Sequence, residues 1–223
     1  MAFWSRFTGD EIRRLVIDAN DGMIVGAGIM EGLSLADQPE GVAITAALAA
    51  LFSGAFSVAG ANYSEISTDK DSVDAFLAEE RRLRVLSPEQ ERAELTQIYV
   101  DKGLTPELAR QVAEQLPAQE ALADHAVEEL GISPDAVEQL PALAALLSGL
   151  AFALGSLIPI IAMLVTPDEW NQAVLVTSVL GGVALTSWIA ARSSRMNTWR
   201  TVRRTLLFAA AAMLVSAAVG VLA

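Results

Sequence analysis

The chain has 223 residues, of which 53% are hydrophobic, and it carries 27 acidic against 15 basic side chains, a formal net charge of −12. It has no cysteine, which excludes disulfides and thiolate metal sites. With a single histidine and no nucleophile next to a base, an enzyme is not predicted, and neither is a nucleic-acid partner.

Long apolar stretches predict a polytopic membrane protein. Four of them contain no charged residue, at residues 42–63, 142–166, 173–191 and 205–223. Each is about as long as a helix must be to cross the ~30 Å hydrocarbon layer. A fifth membrane helix is predicted at residues 15–36, which are apolar apart from Asp18, Asp21 and Glu31. No cleavable signal pattern precedes it, so we expect it to remain as an anchor.

Nearly all of the net charge lies between the second and third apolar stretches. Residues 64–141 hold eighteen Asp and Glu against seven Lys and Arg, a net charge of −11. The chain is therefore divided into membrane helices 1 and 2 at residues 1–63, an acidic helical domain at 64–141, and membrane helices 3 to 5 at 142–223. The predicted fold class is all-α, a membrane protein with five transmembrane helices and a cytoplasmic helical insertion.

The arginines set the predicted orientation. Arg6, Arg13 and Arg14 precede the first helix, and five arginines lie in the segment 192–204 between the fourth and fifth helices. By the positive-inside rule both segments are cytoplasmic. With five spans the acidic domain is then cytoplasmic as well, and the carboxyl terminus is outside. We expect a multi-pass protein of the inner (cytoplasmic) membrane.

Within the acidic domain, helix signals alternate with stop signals. Residues 64–86 contain neither Pro nor Gly, so the second helix is predicted to continue from residue 42 to residue 86. Ser/Thr-Pro pairs at 87–88, 105–106 and 133–134 predict three further helix starts, with Gln90 completing a capping box on Ser87. Gly103 and Gly131 are predicted helix stops.

Three acids in the first membrane helix carry the functional interest. Asp18 and Asp21 are three residues apart and share a helix face, and Asp18 is interpreted as a residue at the interfacial end. An ionisable side chain in hydrocarbon normally faces a partner or a water-filled path, so Asp21 is predicted to have a function. Glu31 lies close enough to the outer end to reach water, and both interpretations stay open for it.

Glycines of the same helix form two small-xxx-small pairs, Gly22 with Gly26 and Gly28 with Gly32. Such pairs predict that another helix approaches closely. Because Asp21 stands beside Gly22 and Gly26, we expect a polar seam there at the axis of a dimer.

Acids of the cytoplasmic domain recur in pairs at helical spacing, with the histidine among them: Glu79 and Glu80, Glu91 and Glu94, and His125 with Glu128 and Glu129. If these pairs converge, they form a site of oxygen ligands plus one imidazole. Such a site suits manganese, ferrous iron, calcium or magnesium rather than copper(I). An acidic face that is merely solvated is the alternative.

Five motifs, in order, resemble those of the vacuolar iron transporter family of divalent-metal transporters. They are Ala19-Asn-Asp-Gly22, Ser53-Gly-Ala-Phe-Ser57 leading to Tyr63, Gly103-Leu-Thr-Pro-Glu-Leu-Ala109, Glu128-Glu-Leu-Gly131 and Phe152-Ala-Leu-Gly-Ser-Leu-Ile-Pro159. The resemblance covers nearly the whole chain. It implies a homodimer with five membrane helices per subunit and a cytoplasmic metal-binding domain between the second and third.

The resemblance also implies site residues. The family's metal-binding glutamates match Glu80, Glu91, Glu94 and Glu129, whereas Leu83 replaces an acid of the pattern. Together with the neighbouring His125 and Glu128, these four form the predicted metal site. The pathway aspartate of the family matches Asp21, to which we add Glu31. The family's pathway glutamate of the second helix falls on Ala50, and its methionine falls on Val58. Asn62 stands where many bacterial relatives have a further glutamate.

The function implied is export of ferrous iron or manganese from the cytosol in exchange for protons. The metal, zinc included, is a substrate, and no prosthetic group is expected. The alternative is a membrane-anchored metal sensor or buffer whose pathway does not conduct, for which Ala50, Val58 and Asn62 are the motive.

Overall fold

The computed structural model of the chain describes residues 8–115, 140–167, 170–194 and 196–223, with the backbone alone at 80, 81, 83, 84 and 91. Every regular element in these ranges is an α-helix. In chain order the helices are α1 (Gly9–Leu35), α2 (Glu40–Leu86), α3 (Pro88–Asp101), α4 (Pro106–Gln115), α5 (Pro141–Val165), α6 (Asn171–Ser193) and α7 (Thr198–Leu222). The chain divides into two compact units, Met1–Asn62 with Ala142–Ala223, and Tyr63–Pro141.

Four helices of the described residues are long and apolar enough to cross a membrane: α2 over Glu40–Glu79, and α5, α6 and α7. They coincide with the four uncharged stretches of the sequence. Helix α1 is not among them, because Asp18, Asp21 and Glu31 lower its mean hydropathy. The fifth span therefore stays a prediction.

Helix α1 begins earlier than its hydrophobicity indicates. Thr8 is the N-cap: the Glu11 backbone N–H donates to Thr8 Oγ1 at 3.2 Å, and the Thr8 N–H donates to Glu11 Oε2 at 2.8 Å. This capping box satisfies two otherwise unpaired donors and places the first residue at Gly9. The predicted start at residue 15 marked the apolar stretch and not the helix.

Close helix contacts surround α1 within the first unit. A Cβ on Gly22 would overlap the carbonyl oxygen of Phe152 in α5, and a Cβ on Gly155 would overlap that of Ala19. The Ser156 hydroxyl of α5 donates to the Gly22 carbonyl at 3.1 Å. The predicted close approach is confirmed, but the approaching helix is α5 of the same chain, so the expectation that Gly22 and Gly26 mark a dimer seam is wrong.

The second glycine pair faces a different helix. Gly28 and Gly32 lie against Ser216 of α7, and a Cβ on Gly220 would overlap the Gly32 carbonyl. The third neighbour is α6, whose Gly182 lies against the sulfur of Met23. Fully buried apolar side chains of α1 and α6 fill the space between them: Met23, Met30, Val179 and Val183. Three helices of its own unit therefore pack against α1.

Helix α7 also starts earlier than predicted. Asn197 caps it, with the Arg200 N–H donating to Asn197 Oδ1 at 3.0 Å. Arg200, Arg203 and Arg204 therefore lie on the first two turns of α7, and the prediction of a loop through residue 204 is wrong. The apolar window marked only where the charged residues end.

Helix α2 continues without a break from Glu40 to Leu86, which confirms the prediction of one long helix. Its residues up to Asn62 belong to the first unit and those from Tyr63 to the second. At 1.5 Å per residue it is ~70 Å long.

The helix boundaries of the second unit follow the predicted signals in part. Gly103 has a φ of 98°, which confirms it as a stop, and the Leu108 N–H donates to Thr105 Oγ1 at 3.4 Å at the start of α4. Ser87 precedes α3 but makes no side-chain cap bond. The predicted capping box is therefore wrong, since Gln90 Nε2 donates instead to Glu94 Oε1 at 3.0 Å. Gly131 and the Ser133-Pro134 pair lie outside the described residues.

Candidate functional site

Asp21 lies on the exposed face of α1, one turn from Ile17 and one turn from Val25. These two apolar side chains are 51% and 41% exposed. The opposite side of α1 is covered by α5, α6 and α7, as described above. Asp21 is therefore a carboxylate presented at the surface of the first unit, in the middle of a helix.

A cavity of about 240 Å³ opens beside Asp21, between α1, α6 and α7. Its polar lining includes Asn20, Asp21 and Ser187, with Arg13 and Arg204 also contributing. A water molecule takes up ~30 Å³ of liquid, so the cavity has room for several waters. A cation with part of its hydration shell would fit this space.

Asn20 is a further polar residue at the cavity, and the sequence interpretation gave it no role. It is 5% exposed, its Oδ1 accepts from the Thr186 hydroxyl at 2.6 Å, and its Nδ2 is 3.5 Å from Ser187 Oγ. An amide oxygen has two lone pairs, so Oδ1 can accept a second contact. The only signal for Asn20 was its place in the Ala19-Asn-Asp-Gly22 motif.

Asp18 is buried against α5 rather than solvated at a helix end. It is 8% exposed, it hydrogen-bonds with Ser148, and its Oδ2 has no hydrogen-bond partner among the described residues. Asp18 also lies within electrostatic range of Asp21. The prediction that Asp18 and Asp21 share a face of α1 is wrong, because Asp18 faces inward and Asp21 outward.

Glu31 lies ten residues beyond Asp21, ~15 Å along the helix. It is 6% exposed, and its Oε2 has no hydrogen-bond partner within the described part of the chain. The expectation that Glu31 reaches water is therefore not met within the single chain. The structure does not bring Glu31 and Asp21 together.

On α2 the three substituted family positions offer little to a metal. Ala50 and Val58 are half-buried and have no polar side-chain atom. Asn62 is 9% exposed, and its Nδ2 donates to the Val58 carbonyl of its own helix at 3.1 Å. No acidic residue lies on α2 between Glu40 and Glu65.

The predicted metal ligands of the acidic domain are only partly described. Glu94 is exposed on α3 and accepts from Gln90. Glu80 lies on α2 and Glu91 on α3, and at these two positions the structure describes the backbone alone. His125, Glu128 and Glu129 lie outside the described residues. Among the residues that are described, no group of three or more His, Asp or Glu could hold a metal ion. This metal site stays a prediction.

A model of the VIT family matches residues 12–221, nearly the whole chain. The chain belongs to the VIT family. A vacuolar iron transporter of Acanthamoeba castellanii is 36% identical over 172 residues, 77% of this chain and 62% of the relative. Vacuolar iron transporter 1 of Eucalyptus grandis is 29% identical over 185 residues, 81% and 73% of the two chains, and that of Arabidopsis thaliana is 27% identical over 169 residues, 74% and 67%.

Membership in the VIT family confirms the resemblance seen in the five motifs. The relatives are named as transporters, which confirms that the chain is not an enzyme. Family membership, together with the four apolar helices among the described residues, identifies the chain as a multi-pass membrane protein. The matched part spans less than two thirds of the Acanthamoeba relative, 62% of its length.

Proposed function

We propose that this VIT-family chain is a divalent metal transporter that exports ferrous iron or manganese from the cytosol in exchange for protons. The observation that carries the proposal is Asp21, an exposed carboxylate in mid-helix in the wall of a cavity to which Asn20 and Ser187 also contribute polar groups. Carboxylate, amide and hydroxyl oxygens are ligands that suit these dications. The relatives' names supply iron as the leading substrate.

Helix α1 is the proposed fifth membrane span. Its 27 residues give a length of ~40 Å, enough to cross the hydrocarbon layer. A carboxylate at the centre of such a helix costs roughly 2.5 to 3.5 kcal/mol on insertion scales, unless it faces water, a partner or an ion. Packing of three other helices against α1 removes Asp18 and Glu31 from lipid. Asp21 remains exposed and would face lipid unless another group packs against it.

A second copy of the chain is the proposed cover for Asp21. The face formed by Ile17, Asp21 and Val25 is exposed in the single chain. Apposing this face in two copies would bury the apolar side chains and place two carboxylates on either side of one dication. The metal would offset their mutual repulsion. This proposed seam lies on the face of α1 away from Gly22, and not at the glycines where the sequence predicted one.

Asp18 and Glu31 are the proposed proton carriers. Each is buried with one carboxyl oxygen that has no hydrogen-bond partner in the described ranges. A protonated carboxyl is neutral and avoids the cost of a buried unpaired charge. Because Asp18 lies within electrostatic range of Asp21, a dication at Asp21 and a proton on Asp18 would compete. Such competition couples metal movement to proton movement.

The acidic domain is the proposed collector of metal at the cytoplasmic surface. Its ligands would be Glu80, Glu91, Glu94, His125, Glu128 and Glu129. Support comes from the family resemblance and from the net charge of −11 in residues 64–141. The proposed topology is the one predicted from the arginines of the sequence. The amino terminus and the acidic domain are cytoplasmic, and the chain lies in the inner membrane.

One observation favours a metal sensor or buffer as a second candidate. The membrane part of α2 supplies no acid between Glu40 and Glu65, and the Asn62 amide is bonded to its own helix. A pathway with so few ligands could bind metal without conducting it. In that case the acidic domain alone would carry the function.

Reconstitution into liposomes separates the two candidates. Purified chain is incorporated at known orientation, and uptake of ferrous iron, manganese, zinc and calcium is followed with a metal-sensitive dye at several pH gradients. A transporter gives flux of iron or manganese that depends on the proton gradient. Absence of flux for every ion, with metal still bound by the protein, would establish the sensor.

A further inference from the structure

A second, larger and open cavity of about 620 Å³ is lined by Met196 and by one face of the first turns of α7. Arg200, Arg203 and Arg204 line it at one end, and Leu207, Phe208 and Ala211 line it at the other. These positions repeat at three- and four-residue spacing, so they form a single stripe along the helix. The cavity is therefore basic at one end and apolar at the other.

The length of the basic part matches the polar layer of a bilayer. From Arg200 to Arg204 the helix rises ~6 Å, and from there to Ala211 a further ~10 Å. Headgroup regions add roughly 5 to 8 Å on each side of the hydrocarbon layer. Trp199, at the same end of α7, is 72% exposed, as is typical of aromatic side chains at a membrane interface.

The three arginines have no ion pair with any carboxylate among the described residues. The wall of the adjoining cavity contains an acid, Asp21 on α1, and Arg204 lines that cavity as well. Positive charge therefore exceeds negative charge at this surface, although the chain as a whole has a net charge of −12. An anion would be attracted to it.

We propose that this cavity binds the headgroup of an anionic glycerophospholipid. The phosphate lies between Arg200, Arg203 and Arg204, where guanidinium groups form paired, charge-assisted hydrogen bonds with phosphate oxygens. One acyl chain follows Leu207, Phe208 and Ala211 into the hydrocarbon layer. Basic residues immediately beside the end of a membrane helix are a known form of anionic-lipid site.

The simpler explanation for the arginines is that they only fix the orientation of the chain. That explanation requires positive charge near the helix end, but it requires neither a cavity nor a shared stripe with apolar side chains. It also predicts that replacing these arginines and replacing others of the same region have the same effect on lipid binding. Arg192, which lies over the ring of Trp188 and does not line the cavity, provides the comparison.

The test uses the full purified chain and native mass spectrometry with phosphatidylglycerol and phosphatidylcholine. Wild type is expected to bind phosphatidylglycerol at least about tenfold more tightly than phosphatidylcholine. The double variant Arg203→Gln with Arg204→Gln should lose this preference by about tenfold or more, since each interfacial basic residue contributes substantially to binding of anionic lipid. The double variant Arg192→Gln with Lys102→Gln removes the same charge elsewhere and should bind as wild type.

Several outcomes would overturn the proposal: equal binding of the two lipids, equal loss in the two double variants, or displacement of the lipid by millimolar inorganic phosphate, which would indicate a free-anion site. Exclusion of phosphatidylglycerol from a dimer would show that a second copy covers the cavity. If the variant Arg203→Gln with Arg204→Gln fails to fold, the double variant Arg203→Lys with Arg204→Lys keeps the charge and should retain the preference for phosphatidylglycerol. Wild-type affinity for phosphatidylglycerol must also fall with added salt.

Discussion

Three carboxylates of α1 occupy different surroundings. Asp18 contacts Ser148 of α5, Glu31 is buried beyond the middle of the helix, and Asp21 is exposed beside a cavity with several polar side chains in its wall. Of these three acids, Asp21 is the one that can meet an ion from outside without a rearrangement of the helices. The proposed roles follow from this difference: the exposed acid holds metal, and the two buried acids hold protons.

The spacing of the acids was readable in the sequence, but their burial was not. Asp18 and Asp21 were predicted to share a face because they are three residues apart. Positions three apart still differ by about 60° around a helix, and which of them is covered depends on the neighbouring helix. The position of α5 against Asp18 is a tertiary fact that the pattern of α1 does not contain.

At the residue scale, the predicted metal ligands of the acidic domain can be tested by removing two of them. Glu91→Ala with Glu94→Ala should lower the affinity for manganese by about tenfold or more, because a dication is held mainly by its carboxylate ligands. Isothermal titration calorimetry of the whole protein in detergent measures this.

The matched control for that experiment is Glu107→Ala with Glu114→Ala on α4. Both of these carboxylates pair with Arg110, at 2.9 and 2.8 Å. Hydrogen bonds from Gln111 and from Arg110 lower the pKa of Glu107, so it is ionised and its removal takes away the same charge. Equal loss of affinity in both double variants would show a general effect of charge and no specific site.

At the element scale, the contact between α1 and α5 depends on glycine. Gly22→Ala should destabilise the protein by about 1 to 3 kcal/mol, because its Cβ would meet the backbone oxygen of Phe152, which cannot rotate away. Gly181→Ala on α6 is the control, since a Cβ there meets nothing within 4 Å. Thermal unfolding in detergent should show a lower Tm for the first variant alone. A Tm equal to wild type for Gly22→Ala would mean that the helices are further apart.

The exposed face of α1 makes a second prediction at this scale. The native chain has no cysteine, so Ile17→Cys introduces a single thiol on the face proposed to meet a second copy. Mild oxidation in membranes should then give a disulfide-linked dimer on a non-reducing gel. Leu150→Cys, an exposed position on α5, should give none. Cross-linking through position 150 and not through position 17 would move the interface to another face.

Helix limits were predictable where backbone chemistry decides them. The continuity of α2 followed from the absence of Pro and Gly in residues 64–86, and the stop at Gly103 followed from its need for a positive φ. The early starts of α1 and α7 were missed because capping side chains, Thr8 and Asn197, set them. An apolar stretch indicates which part of a helix lies in the hydrocarbon layer, but it does not indicate where the helix begins or ends.

At the scale of the whole molecule, the orientation can be tested by labelling. Val100→Cys and Ala223→Cys each introduce one thiol, in the acidic domain and at the carboxyl terminus. With α1 as a fifth span, position 100 should be cytoplasmic and position 223 outside. An impermeant maleimide applied to intact cells should label only the second. Labelling of positions 100 and 223 from the same side would show that either the fifth span or the predicted orientation is wrong.

The central claim is that metal crosses the membrane past Asp21. The most direct measurement is the initial rate of manganese uptake into liposomes that contain equal amounts of wild type, Asp21→Asn or Asp37→Asn. Asp37 lies in the turn after α1 with a φ of 53°, which asparagine also adopts, so its variant removes one charge without strain. We predict that Asp21→Asn lowers the rate by about tenfold or more, whereas Asp37→Asn transports as wild type. If liposomes with Asp21→Asn take up manganese at the wild-type rate, the proposed pathway is wrong.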